Sequence, residues 1–425
     1  MAETCHFRAI PCRRRRKIVY LSDVQGHDRG VSLDHERKLR RRLRGIWSEI
    51  VITTENKTRR NERTFSEIKR LSAANLDGPE LLRRVAQRLS KAVPFEAYCA
   101  STVDPASRLI THGIAEGMGG EGDEFGNVYL DRIYFEEDLP VMNEMLRRRR
   151  TVQLLSETTG GALERSLRYR ELLRPYGFGY ELGGAFVDGN LWGGMDLIRE
   201  EGDPDFGGAE AALVGRIAPH VGAGLKAAAL RSLATTEQDS PDVPGVLTLD
   251  RTGKIISHTP SARHWLSDLE DLDPHWRHEN IPMAVRMVSG ALRHALAPRS
   301  DSDHNLVPRV RVRGRSGRWL ALYGSLTEPS SDRPGETVIV IGPAKPEEVA
   351  WLTVAAYSLS PREKEVVDLL VRGFTNRQIS RALFISEHTV QRHLSNIFEK
   401  VGVRSRKTLL KRLYFENLLP SLVDD

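Results

Sequence analysis

The sequence predicts a multidomain protein in which two α+β domains precede an all-α head of four short helices. Three observations carry this prediction. At 425 residues the chain is too long for one core, since a domain usually takes roughly 100–200 residues. Its middle twice runs through paired strand-length segments and helical stretches before reaching a polar linker. Its end holds three consecutive helix-start signals. Ser360-Pro361-Arg362-Glu363 supplies a capping serine, a proline at the first helical position and a Glu that can bond back to the cap. Thr375-Asn376-Arg377-Gln378 repeats the capping box, and Ser386-Glu387-His388-Thr389 opens a third helix after the short break Phe384-Ile385.

Composition narrows the class. A hydrophobic fraction of 40% and a charged fraction of 28% are ordinary for a globular protein. No apolar run approaches the ~20 residues that span a bilayer, so no membrane partner is expected. Arg13–Arg16 and Lys17 are followed by Ile18-Val19-Tyr20-Leu21, which is too short for a secretory signal core. Cys5, Cys12 and Cys99 are few, odd in number and without metal-ligand spacing. They predict a reducing, cytoplasmic setting with no disulfide framework and no metal. The net charge of +6 is unevenly spread. Residues 1–70 hold 19 Lys and Arg against 9 Asp and Glu, and residues 358–425 hold 12 against 8. The stretch between them is therefore acidic by 8 charges. A mildly acidic body joined to a basic head suits a sensor carrying a nucleic-acid-binding end.

Residues 1–63, with RRRRK and KLRRRLRG, are Arg-rich and poorly periodic. They read as a disordered or partly helical extension, or as a basic arm adding phosphate contacts. From residue 64 the periodicity improves. Leu81, Leu82, Val85, Ala86 and Leu89 recur at helical spacing up to Pro94. Ala97–Val103 and Leu109–His112 form a hairpin about the turn Asp104–Arg108. Helical segments are expected at 138–149 and 163–175, and strands at Gly183–Val187 and Trp192–Ile198 about Asp188-Gly189-Asn190. A long helix then covers 208–232. This order, and above all the hairpin followed by DPDFGGAEAALVGRIAPHVGAGL, resembles a GAF domain over 64–232.

After a polar linker, Gly245–Asp250 and Ile255–His258 form a tight hairpin, with Ser261–Leu266 helical behind it. A helix at 283–296 and strands at Val307–Arg313, Trp319–Leu326 and Thr337–Ile341 complete the segment. Hairpin, helices and three-stranded meander resemble a PAS domain over 244–343, most closely at the turn Asp250-x-x-Gly253-x-Ile255. A short helix is expected at Val349–Tyr357, leading into the head at 355–420.

In the head, Val390, Leu394, Ile397 and Val401 make one apolar stripe along the third helix, and His388, Gln391, Arg392 and Ser395 make a polar face opposite it. Short helices in this order describe a helix-turn-helix, whose last helix enters a DNA major groove. Gln pairs bidentately with adenine and Arg with guanine, each worth roughly 1–3 kcal/mol of discrimination. Base contact is thus expected at Gln391, Arg392, Ser395 and His388, against the plainer reading of a solvated face. Phosphate contact is expected at Thr389, Lys400, Arg404 and Arg406. His393 and Glu363 read as structural.

Leu359–Pro420 resembles the LuxR/FixJ-type helix-turn-helix closely. Leu359-Ser360-Pro361-Arg362-Glu363, Gly373, Asn376, Ile379, Leu383, the run Ile385–Leu394, Asn396, Ile397 and Lys400 stand at that family's spacing. Ser380 and Val401 depart from its usual Ala and Leu. The resemblance implies base contact by Gln391, Arg392 and Ser395. It also implies a homodimer formed through the last helix, about Ser405–Leu418, on double-stranded DNA.

No enzyme is expected, and no catalytic residue is assigned: Walker, G-x-S-x-G and HExxH motifs are missing from the sequence. GAF and PAS cups can hold haem, which needs a His or Cys. His112, Cys99, His220 and His258 are the available names, each more simply a core or surface residue, so no cofactor is expected. Two functional readings stand. The chain is a transcriptional regulator whose middle domains sense a small ligand or protein effector, or it is a scaffold whose middle domains bind a partner while DNA binding is secondary.

Overall fold

The computed structural model describes residues 8–10, 18–20, 56–118, 129–233, 243–269, 281–295, 308–328, 335–345, 348, 357 and 359–410. The chain divides into two compact units, Met1–Thr58 and Arg59–Asp425. In the first, β1 (Arg8–Ile10) pairs antiparallel with β2 (Ile18–Tyr20), with Ala9 opposite Val19. The basic runs RRRRK and KLRRRLRG lie outside the described residues, as do Cys5 and Cys12.

Helix α1 (56–72) runs across the boundary drawn at residue 63. Helix α2 (Gly78–Leu89) starts at Asp77, whose carboxylate accepts the Glu80 N–H at 2.9 Å, and buries its predicted stripe from Leu81 to Leu89. Strands β3 (Ala97–Val103) and β4 (Ile110–Glu116) follow. A π-helical stretch, Tyr129–Asp138, leads into α3 (Leu139–Arg147). Next come β5 (Val152–Leu154), α4 (Leu155–Thr158), β6 (Phe178–Asp188), β7 (Asn190–Glu200) and α5 (Gly208–Leu233).

The strands form one antiparallel sheet in the order β4-β3-β7-β6-β5. Alternation splits its faces. Tyr98 and Ala100 join the core shared with α2 and α5, while Ala97 and Cys99 join the core beneath α3 and the π-helical stretch. Gly222 lets α5 lie against the sheet, because a Cβ there would sit 2.7 Å from the Val187 carbonyl carbon.

The helix expected at 163–175 is instead broken at Ser166, into a short turn at Leu163–Arg165 and a continuous helical run over 167–176 whose pitch changes through Tyr169–Leu173 and Arg174–Tyr176. The Glu137 carboxylate explains the break. It accepts the Ser166 hydroxyl at 2.5 Å and the Arg168 N–H at 3.0 Å, drawing Ser166 into extended backbone.

The second sheet has the order β10-β11-β12-β8-β9, built from β8 (Gly245–Leu249), β9 (Ile255–His258), β10 (Arg309–Arg313), β11 (Trp319–Leu326) and β12 (Thr337–Pro343). In the β8–β9 turn one Asp250 oxygen accepts the N–H groups of Thr252 and Lys254 at 2.8 and 3.0 Å. Helix α6 (Pro260–Asp268) is capped by Thr259. Helix α7 (Met283–Ala295) is buried from Met283 through Gly290 and touches both β11 and the first sheet's π-helical stretch. A Cβ at Gly290 would come within 2.5 Å of the Phe135 ring, so the ring packs directly on the backbone of α7. Of the short helix expected at 349–357, only Tyr357 is described.

The head comprises α8 (Pro361–Val371), α9 (Asn376–Leu383), α10 (Glu387–Val401) and α11 (Arg406–Leu410) around a core of its own. The fourth helix was expected over Ser405–Leu418, and the part beyond Leu410 lies outside the described residues. No helix among the described residues is long and apolar enough to cross a membrane.

Candidate nucleic-acid interface

Local side-chain chemistry sets each helix of the head. Ser360 and Glu363 close a capping box on α8, with the Glu363 carboxylate accepting the Ser360 N–H at 2.7 Å. Thr375 and Gln378 do the same for α9, the Gln378 amide oxygen accepting the Thr375 N–H at 2.8 Å. On α10 the Ser386 hydroxyl accepts the Thr389 N–H at 3.0 Å. Between α9 and α10 the chain reverses at Phe384, which adopts left-handed backbone (φ 54°) and is 95% exposed. The Ser380 hydroxyl donates to the Ile385 carbonyl at 2.6 Å, and Arg362 donates to the Leu383 carbonyl, so the turn is held from two helices.

Those constraints present one face of α10. Val390, Leu394, Ile397 and Val401 are buried, and Ile379 and Leu370 from the neighbouring helices are fully so. His388, Gln391, Arg392 and Ser395 lie together on the exposed side. Their reach is unequal. The Gln391 amide oxygen accepts from the Asn376 amide at 3.1 Å, a contact that uses the acceptor end of the Gln391 amide and not its N–H donors. The Ser395 hydroxyl donates to the Gln391 carbonyl at 3.1 Å, within its own helix.

The residues expected at phosphate are dispersed around that face. Arg404 is exposed. Thr389 shares a 2.8 Å hydrogen bond with the Ser386 hydroxyl. Lys400 donates to Glu363 at 2.6 Å, and Arg406 donates to the Phe374 carbonyl at 2.6 Å. The last two brace helices against each other in addition to adding charge. Burial works to raise the Glu363 pKa, but hydrogen bonds from Lys400 and Ser360 outweigh it and hold the carboxyl below its ordinary value.

The sequence reading missed Asn376, whose role depends on a contact across the turn, and Arg377 and Arg381, which are exposed on α9. The head touches the first sheet through Lys364, whose ammonium donates to Asn190 at 2.9 Å. Burial lowers the Lys364 pKa, and the nearby charge of Arg108 adds to that.

The four residues considered as haem ligands do not share a site. Cys99 is a buried thiol outside any disulfide. His112 has its Nδ1 3.4 Å from the Thr102 hydroxyl and is lowered in pKa by burial. His220 packs edge-on against Phe65, and His258 has its Nδ1 3.3 Å from the Thr259 carbonyl.

The family model for bacterial regulatory proteins of the luxR family, GerE, matches residues 357–412. The chain is 46% identical over 55 residues to the spore germination protein GerE of Bacillus subtilis, covering 13% of this chain and 74% of that protein. It is 50% identical over 48 residues to the CsgBAC operon transcriptional regulatory protein of Escherichia coli, covering 11% of this chain and 22% of the relative. The transcriptional regulatory protein DegU of Brevibacillus brevis is also 50% identical over 48 residues, covering 11% and 20%. The chain therefore spans about a fifth of the length of these last two relatives.

Proposed function

Through residues 357–412 the chain belongs to the luxR family of bacterial regulatory proteins, and from that premise we propose that it is a sequence-specific DNA-binding transcriptional regulator. The observation that carries this reading is the two-sided α10, with its buried apolar stripe and its exposed row His388, Gln391, Arg392 and Ser395. Helix α10 enters the major groove, where Gln391 and Arg392 read base edges and His388 and Ser395 add shorter contacts. Thr389, Lys400, Arg404 and Arg406 meet phosphate and fix register. Arg377 and Arg381 on α9 face the backbone beside them. A homodimer formed through the last helix reads two half-sites one helical turn apart.

Residues 64–232 act as a GAF-like sensor and residues 244–343 as a PAS-like domain. Supporting this are the two five-stranded antiparallel sheets and the long helix α5 on one face of the first. Their effector, a small molecule or a protein, controls the head.

Footprinting and salt-dependent duplex binding with the full chain test the proposal. The double variant Gln391→Ala, Arg392→Ala is expected to lose roughly 2–6 kcal/mol of discrimination between operator and random duplex, with weak non-specific binding retained. Failure of the wild-type chain to bind any duplex at low salt would sink the regulator reading. Equal operator preference in wild type and variant would sink the base-contact assignment alone.

A further inference from the structure

The first sheet has a second polar centre, on the face away from α2 and α5. Across that face one row of the sheet runs Gln153, Gly183, Asp196 and Cys99, and the next runs Ala185, Gly194, Ser101 and Gly113. The second row carries only small residues, and the space above it is a cavity of about 90 Å³. The cavity is roofed by the π-helical stretch and α3, with Met142 and Met145 on its apolar side and Met283 of α7 closing it. A cavity of roughly 150 Å³ accepts benzene, so this one suits a short chain or a polar head group. Unbranched methionines adapt to what enters.

The electrostatics of the cup are lopsided. Among the described residues lining it Arg168 is the one cation, buried with 3% exposure, and each of its three nitrogens donates to a carboxylate. Nε donates to Glu181 at 2.6 Å, Nη1 to Asp138 at 2.7 Å and Nη2 to Asp196 at 3.3 Å. Its flat face lies 5.2 Å from the Tyr129 ring centre. Three carboxylates thus surround one guanidinium, so negative charge outnumbers positive charge around it. A further acceptor points the same way, because the buried Gln153 amide oxygen has no hydrogen-bond partner. Buried acceptors without donors are costly, and a ligand carrying several N–H groups would satisfy them.

We propose that this cup binds a small organic cation, with an alkylammonium or guanidinium head placed among Asp196, Asp138 and Gln153 and its apolar end against Met142 and Met145. The proposal rests on the reading of residues 64–232 as a ligand sensor and names the ligand's class. A metal ion is not the occupant the geometry favours: the guanidinium already fills the centre of the cluster, and among the described residues no group of His, Cys, Asp and Glu is placed to hold one. Titration agrees with the geometry. Burial pushes Asp138 up to about 6 and Glu181 up to about 8, and raises Asp196, so near neutral pH the cluster retains a proton chiefly at Glu181. An arriving cation displaces protons to solvent. Because Met283 belongs to α7, the occupant would also touch the second sheet's domain.

The test is calorimetry on the full chain at pH 7 with n-butylammonium, butyrate, 1-butanol and calcium chloride, run in two buffers of different ionisation enthalpy. Butylammonium alone is expected to bind, with proton release seen as a buffer-dependent heat. Asp196→Asn should weaken it by about tenfold or more, the loss expected for a hydrogen bond to a charged group. Gln153→Met, which keeps the volume, should weaken it less and serves if the first variant does not fold. Binding of butyrate or butanol as tightly as the amine would overturn the cation class while leaving a sensor. Calcium binding without amine binding would overturn the organic class. No binding by any of the four, with unshifted melting, would overturn the proposal and leave the sensor reading standing, since that reading also admits a protein effector.

Discussion

Glu363 ties two helices of the head through a single carboxylate. It is 3% exposed, accepts the Ser360 N–H and receives the Lys400 ammonium at 2.6 Å from a helix 37 residues later. A carboxyl held below its ordinary value of 4.5 stabilises the fold above that value and loses the contribution as pH falls through the folded-state pKa. Glu363→Gln keeps the shape of the cap and removes the charge. It is expected to cost the head about 1–3 kcal/mol at pH 7. The gap between wild type and variant should close as pH falls below 4.5 and through the lowered folded-state value, and urea unfolding at pH 7 and in acid measures both. A gap that persists in acid would assign the cost to shape. The same residue marks what sequence could reveal. Its capping role is local, three residues from Ser360, and was legible there. The Lys400 contact bridges distant positions, so Lys400 read only as a phosphate candidate.

The turn between α9 and α10 shows where element-scale reading succeeds and fails. All three caps of the head were legible because each acts across three residues, and the hairpins of both sheets were legible because strand alternation and turn residues are local signals. The exposed row of α10 followed from spacing alone. What stayed hidden depends on distant partners: the π-helical stretch at Tyr129–Asp138, the break in 163–175 imposed by Glu137, and the Asn376 amide that orients Gln391. Phe384 is another case, since no local signal announces left-handed backbone at a phenylalanine. That conformation costs an L-residue with a Cβ roughly 1–2 kcal/mol, and glycine escapes most of the strain while losing more chain entropy. With its ring 95% exposed, Phe384 has little packing to lose. Phe384→Gly is therefore expected to stabilise the head by up to about 1 kcal/mol, read from the urea midpoint. A destabilised variant would show that the ring packs on a surface in solution.

At the scale of the whole molecule, the two sheets are joined through buried contacts that a flexible linker would not need. Helix α7 is shared between them, and beside it Arg311 of β10 meets Asp104 of the β3–β4 turn. The guanidinium lies 3.2 Å from the carboxylate, the Arg311 N–H donates to it at 3.0 Å, and both side chains are 1% exposed. The pair lines a cleft of about 390 Å³ that also includes Trp192 of the first sheet and Trp319 of the second. Burial lowers the Arg311 pKa and the Asp104 charge opposes that, so the guanidinium depends on its partner. A buried pair of this kind contributes little over well-packed apolar residues, yet removing one member strands the other at a cost of about 3–5 kcal/mol. Asp104→Asn retains an acceptor for the Ala106 N–H, which Asp104 holds at 2.8 Å, while neutralising the partner of Arg311. It is expected to lower the urea midpoint of the body sharply. Adding Arg311→Met removes the stranded charge and should recover much of the loss, so the double variant should be the more stable of the two. A single variant within about 1 kcal/mol of wild type would be too small for a buried charge pair, and would show that water reaches Arg311 and that the two domains part in solution. A double variant no better than the single would place the cost in the β3–β4 turn itself.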